Sequence, residues 1–91
     1  MHVSITDEAA RQIEGIADYL ESEWSARIRD NFLHKLESAV VVIGQMPLSF
    51  PESERYTGLR RCVVHKFTSI YYRVKDDEVE ILAVVDNRQN F

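Results

Sequence analysis

The sequence predicts an α+β domain in the order β-α-α-β-β-β, with a helical hairpin packed on one face of a small antiparallel sheet. Three observations lead there. Residues 7–46 carry two successive stretches of apolar side chains at helical spacing. Residues 59–91 carry long runs rich in Val, Ile, Tyr and Phe. Within the second region, Lys75-Asp76-Asp77-Glu78 separates two of those runs with turn-forming acids, the mark of a β-hairpin.

Residues 1–5 alternate weakly and are read as a short edge strand. Thr6 has the character of a helix N-cap, with Asp7 and Glu8 placed where the positive end of the helix dipole favours acids. Ala10, Ile13, Ala17, Leu20 and Trp24, widened by Ile16, give the first helix its stripe and carry it to about Ser22. Ser25 caps a second helix on Ile28, Phe32, Ala39 and Ile43, with Leu36 and Val40 beside them, ending between Gly44 and Met46 before Pro47. Neither helix has the heptads of a free coiled coil, so each needs a sheet to cover its stripe. Residues 47–58 hold both prolines and no periodicity and are read as a loop pinned by Phe50 and Tyr56. Strands follow at 59–64 and on either side of the 75–78 turn. The outer face of the sheet is expected to be open, and of Tyr71 and Tyr72 one is expected in the core and the other exposed.

Ninety-one residues make a single domain, 1–91, small enough that its stability should lean on a partner. No apolar run reaches the roughly 20 residues of a membrane span, and no signal-peptide pattern opens the chain, so a cytoplasmic location and no membrane partner are expected. Cys62 stands alone, which excludes an internal disulfide. The spacing Cys62-x-x-His65 places the two on opposite faces of a regular strand, with no second pair to complete a metal site, so neither a metal nor a cofactor is expected.

Charge is unevenly divided. Residues 1–54 have four basic and ten acidic side chains, a balance of −6, whereas 55–91 have seven and five, a balance of +2. Between Arg55 and Lys75 there are six bases and no acid. An acidic whole chain argues against tight non-specific nucleic-acid binding, which rests on phosphate neutralisation. The basic sheet instead suggests a local binding face, with Arg60, Arg61, His65, Lys66, Arg73 and Arg88 as partner- or target-binding residues.

Enzymatic templates find little support. The three glycines are isolated, and no nucleophile elbow or reactive-cysteine signature is present. Glu8, Glu14, Asp18 and Glu21 read as a solvated helix face, and His34 as a surface residue. His65, among Arg60, Arg61 and Lys66, is the one candidate acid or base near neutral pH, but no partner for it is evident in the sequence. No catalytic residue is assigned.

Tyr19-Leu20-x-x-x-Trp24, Met46-Pro47, Gly58-Leu59-Arg60-Arg61-Cys62, Ile70-Tyr71-Tyr72-Arg73-Val74, Val79-Glu80-Ile81-Leu82-x-Val84 and Arg88 together resemble the RelE/ParE superfamily of bacterial type II toxins. The ParE-like branch, often labelled plasmid-stabilisation toxins, is the most similar. The resemblance spans essentially the whole chain and implies the same fold. It also implies a cognate antitoxin, a small DNA-binding dimer whose disordered tail wraps and silences the toxin. The ParE-like branch implies inhibition of DNA gyrase by binding, with no bond broken by the toxin. The RelE-like branch implies instead a messenger-RNA endoribonuclease acting on the ribosome, here through Arg60, Arg61, His65, Lys66 and Arg88. Against that branch, Ser69 stands where its members carry an arginine, Asp86 where many carry histidine, and the sequence reaches Phe91 without the C-terminal tyrosine. A third alternative is a degenerate toxin that persists as a binding module.

Overall fold

The computed structural model describes residues 1–89, so Phe91, which entered the comparison of branches above, lies outside the described residues. Its elements are β1 (His2–Ile5), α1 (Asp7–Glu23), α2 (Ala26–Gln45), β2 (Arg60–His65), β3 (Thr68–Lys75), β4 (Glu78–Asp86) and a 3-10 turn at Asn87–Gln89. The predicted order and layering are found.

Both helices start as their caps dictate. Thr6 Oγ1 accepts the Ala9 N–H and Ser25 Oγ accepts the Ile28 N–H, each at 3.1 Å, satisfying donors that the helix leaves without partners. The buried stripe of α1 is Ala9, Ile16, Ala17 and Leu20, one position round from the predicted Ala10, which is exposed. Trp24 also departs from expectation at 61% exposed. It is the C-cap of α1, with φ −125° and ψ −86°, so its side chain no longer follows the helical rhythm. In α2, Phe32, Leu36, Ile43 and Gly44 are buried. Gly44 sits at a close approach: a Cβ there would lie 3.1 Å from Val3 Cγ2 and 3.3 Å from the Met1 carbonyl oxygen, so β1 would have to give by a few tenths of an ångström to admit it. The Met1 ammonium donates to the Gly44 carbonyl at 2.9 Å, placing positive charge at the negative end of α2.

The sheet order is β1-β4-β3-β2. β2, β3 and β4 form an antiparallel meander, while β1 runs parallel to β4 in the register Val3↔Val79. The sheet is therefore mixed, not wholly antiparallel, because the long loop after α2 uncouples the direction of the meander from that of the N-terminal strand. Asp76 and Asp77 take φ of 53° and 61°, so both centres of the β3–β4 turn are left-handed. That is the twist a two-residue hairpin needs, and aspartate tolerates it better than most side chains.

One face of the sheet packs Cys62, Ile70, Tyr72, Val79, Ile81 and Val84 against the helices to form the core. The expected open outer face is partly covered. The Arg61 N–H donates to Pro51 O at 2.9 Å and the Ser53 N–H to Leu59 O at 2.7 Å, tying the loop along the edge of β2. Tyr56 then sets its ring edge-on to Tyr71 at 4.7 Å, so Tyr71 is buried as well as Tyr72. Phe50 anchors the other side of the loop against Tyr72 at 6.4 Å. No described helix is long and apolar enough to cross a membrane.

Candidate functional site: a histidine and arginine cluster beside a groove

A β-bulge between Val63 and His65 reorganises the end of β2. With one extra residue in the strand, His65 pairs with Thr68 while Cys62 pairs with Ile70, so both now share the helix-facing side. This overturns the expectation that Cys62 and His65 point apart, which assumed an unbroken two-residue period. Cys62 remains a buried thiol whose pKa is raised by burial. Among the described residues no three His, Cys, Asp or Glu side chains group as a metal site.

His65 belongs to a connected network. Arg88 grips the Asp86 carboxylate with two arms, Nε to Oδ1 at 3.1 Å and Nη2 to Oδ2 at 2.8 Å, and the Arg88 N–H adds a third bond at 2.9 Å. The Thr68 hydroxyl donates to Asp86 Oδ2 at 2.6 Å. Burial alone would push Asp86 up, but these donors together hold it below the usual carboxylate range. His65 Nδ1 accepts the Phe67 N–H at 3.2 Å, which leaves the proton of the neutral ring on Nε2. Nε2 lies 3.2 Å from Thr68 Oγ1, so the donor order runs from His65 to Thr68 to Asp86. Burial, with Arg88 and Lys35 next in weight, lowers the His65 pKa and keeps the ring neutral. Phe67 lies against the same cluster, with Arg88 Cζ and Lys66 Nζ each 5.0 Å from its ring centre and His65 edge-on at 5.7 Å.

The six residues singled out from the sequence do not share one cationic face. His65, Lys66 and Arg88 meet around Phe67. Arg60 lies on the helix-facing side at the sheet edge and donates to Phe50 O at 2.7 Å. Arg61 lies on the outer face, with its Nε donating to Ser69 Oγ at 3.1 Å. Arg73 is also on the outer face and pairs with Glu80 at 2.7 Å. Alternation along β2 alone sends the adjacent Arg60 and Arg61 to opposite faces, the bulge turns His65 to the helix-facing side, and Arg88 lies beyond β4. The sequence reading missed Asp86 and Thr68. An aspartate closing an apolar run two residues before an arginine is a faint signal, but Thr68 gives none.

A groove of about 520 Å³ opens between α2 and β2 beside His65, lined mainly by apolar atoms and by Lys35 and His34 at one end.

A helical hairpin over one face of a four-stranded sheet, with a basic cluster at one end, defines a small α+β domain. Residues 3–91 match the family described as ParE toxin of the type II toxin-antitoxin system, parDE, and the chain belongs to that family. Among solved structures, the chromosomal ParDE toxin-antitoxin system from P. aeruginosa contains a chain with TM-score 0.75 and 20% identity, over 94% of this chain and 95% of that one. The RelBE2 toxin-antitoxin complex from Mycobacterium tuberculosis gives 0.62 and 19%, over 93% and 95%. The E. coli DinJ-YafQ complex gives 0.62 and 10%, over 98% and 96%. At these identities the likeness is one of fold. No curated protein sequence matches the chain.

Proposed function

We propose that this chain is the growth-arresting toxin of a type II module, that it acts by binding and inhibiting DNA gyrase, and that it breaks no bond itself. Family membership supports the toxin role. The state of His65 is the observation that carries the non-enzymatic reading. RNA cleavage without a metal needs one group to take the 2′-hydroxyl proton and another to stabilise the phosphorane. His65 is the only imidazole among the described residues of the cluster, and the lone pair of its Nδ1 is occupied by the Phe67 N–H. Its pKa is lowered by burial and by the neighbouring cations, and Asp86 is committed to Arg88 and Thr68.

Binding is assigned first to Arg60, Arg61 and Lys66, with which no described residue pairs ionically, while Arg73 and Arg88 are engaged by carboxylates of the chain itself. The neutralising partner is a cognate antitoxin, since toxin-antitoxin complexes are among the structures sharing this fold. A supercoiling assay with purified toxin and gyrase tests the proposal: inhibition that rises with toxin and is relieved by antitoxin is expected. Undisturbed supercoiling at saturating toxin would remove it.

One observation favours a ribosome-dependent nuclease as the second reading. His65, Lys66 and Arg88 do converge on one aromatic ring, an arrangement able to hold a phosphate and stack a base. Messenger left intact in a translation extract would exclude it. Cleavage abolished by replacing Arg60 and Arg61 with alanine would establish it.

A further inference from the structure

The sheet has two edges and protects them unequally. β2 carries Arg60, Arg61 and a bulge, and the loop after α2 is tied along it at Leu59 and Arg61. Charge, irregularity and cover of that kind stop an edge from recruiting another strand. β1, at the opposite end of the strand order, has none of them: His2, Val3, Ser4 and Ile5 pair with β4 in unbroken register. The Thr6 N–H points inward to Ile81 O at 3.1 Å, so by the two-residue period Ser4 also faces β4, while the N–H and C=O of Val3 and Ile5 face outward. No described residue pairs with those groups. Past the end of β1 the edge of β4 is closed by α1, whose Gln12 Oε1 accepts the Val84 N–H at 2.8 Å. The open stretch is therefore confined to Val3 and Ile5, and Ile5 is itself 44% exposed.

We propose that a second copy of this chain adds antiparallel to β1 about a two-fold axis at Ser4, so that one sheet runs through both copies. In that register Val3 of each copy faces Ile5 of the other, and each such pair exchanges both of its backbone hydrogen bonds. The outward groups are then satisfied by a strand that is its own complement, as a two-fold interface requires. Val3 already packs on the core from the helix side, and Ile5 shares its face, so the paired side chains continue the core as one apolar layer. Charge fits the same arrangement. β1 starts with His2 and is followed by Asp7 and Glu8, and antiparallel pairing carries the His2 of one copy to the acidic end of the other. Within its own chain His2 has only a long contact, 3.9 Å to Glu78. α1 fixes the register, because a partner strand shifted beyond Thr6 would run into it. Self-pairing of this kind does not depend on the toxin reading. So short a strand covers less than the roughly 1,600 Å² of a standard interface, so a dissociation constant on the order of tens of micromolar is expected.

Sedimentation velocity of the full chain from about 1 to about 300 µM tests this, and a passage from monomer to dimer across that range is expected. Ile5→Lys places a charge in the shared apolar layer and should raise the dissociation constant at least about tenfold. Val63→Lys makes the same kind of change on the opposite edge, at a position 56% exposed, and should leave the constant within about twofold. Ser4→Cys reads the register. The two-fold sets Ser4 opposite its own copy as a non-hydrogen-bonded pair, Cα atoms about 4.5 Å apart and within disulfide reach. The native Cys62 is buried and does not compete. Ser4→Cys should cross-link readily under mild oxidation on a non-reducing gel, and Val63→Cys should not. If Ile5→Lys fails to fold by circular dichroism, Ser4→Cys, which exchanges one oxygen for sulfur, still decides. A chain that stays monomeric throughout, an Ile5→Lys dimer no weaker than that of Val63→Lys, or Ser4→Cys cross-linking no faster than Val63→Cys would each overturn the proposal. In a monomeric chain, protection of Ser4→Cys from a thiol reagent by added antitoxin would assign the edge to that partner instead.

Discussion

The β3–β4 pair carries an arginine bound to a carboxylate at each end, and the two ends are built differently. At the hairpin end Arg73 and Glu80 are direct cross-strand partners, with Nε and Oε1 2.7 Å apart and both side chains over a third exposed. At the other end Thr68 and Asp86 are the cross-strand partners, and Arg88 reaches back to a carboxylate that is fully buried. The distances are nearly equal, so distance is not what separates them. A buried carboxylate has lost its water and survives only because three protein groups replace it, whereas the exposed pair can exchange each partner for solvent. The first is a closed network; the second is a surface contact.

The most severe way to break that contrast is Arg88→Ala. It leaves the Asp86 charge buried with only Thr68 and backbone to satisfy it, and should destabilise the fold by about 3–5 kcal/mol. Urea unfolding of the variant against wild type measures this. Replacing both partners with apolar groups of similar volume, Arg88→Met with Asp86→Leu, should recover much of the loss, because no orphaned charge remains. A single variant as stable as wild type would show that the cluster is no more than another surface pair.

Acid separates the ends next. Asp86 has a lowered pKa in the fold, so its contribution is present above the ordinary aspartate pKa of about 3.9 and is lost as pH falls through the lower folded value. His65 is also lowered, which means that the unfolded chain takes up its proton first. Its contribution is present above about pH 6.5 and lost as pH falls through the folded value. His65→Gln should therefore flatten the slope of stability with pH just below neutrality, and Asp86→Asn the slope at more acidic pH. Denaturation midpoints collected from pH 3 to 8 check both.

Between the ends, Tyr72 donates its hydroxyl to Pro47 O at 2.5 Å and clamps the start of the long loop to the core. Burial raises its pKa, so the phenol stays protonated and the donor persists across the neutral range. Tyr72→Phe keeps the ring packing and removes this bond. The expected cost is about 1 kcal/mol in the same urea experiment, midway between the two ion pairs. A larger cost would mean that the loop and the core unfold as one unit through this bond.

The hairpin end could be read from the sequence, and the network end could not. Caps at Thr6 and Ser25, the Pro47 stop and the Asp76-Asp77 turn are local: each residue acts on backbone within four positions, so its type predicts its role. Strand existence and order were legible too, but the core face was not wholly so: a bulge in β4 at Leu82 moves the buried positions from Ile81 to Val84. Alternation failed at Val64, where one extra residue turned His65 from the outer side to the groove, and an insertion of that kind has no compositional mark. It failed again for Trp24, which a helical count places in the core and the C-cap geometry turns to solvent. The Asp86–Thr68–His65 chain joins residues 18 and 3 apart through register, and a long-range contact of that kind is not written in either segment alone. The basic count from Arg55 to Lys75 did not give the faces or partners: Arg73 remains partly solvated while paired with Glu80, and Arg88, beyond that stretch, is engaged by the buried Asp86.

The smallest effect gives the cleanest control on the opening comparison. Arg73 and Glu80 are each partly solvated, so solvent replaces much of what either loses. Arg73→Ala, Glu80→Ala and the double variant form a cycle whose coupling should be about 0.2–1 kcal/mol, the range of exposed pairs. Coupling of that origin should shrink as salt rises from low to about 1 M, where the Debye length falls to about 3 Å. The buried pair should keep most of its coupling under the same change, because ions do not enter the space between Arg88 and Asp86. If both couplings fell together with salt, burial would not be the variable that distinguishes the two ends. If the Arg73–Glu80 coupling equalled the buried one and resisted salt, the hairpin end would be a structural lock in its own right, and Arg73 would be withdrawn from the set of target-binding residues.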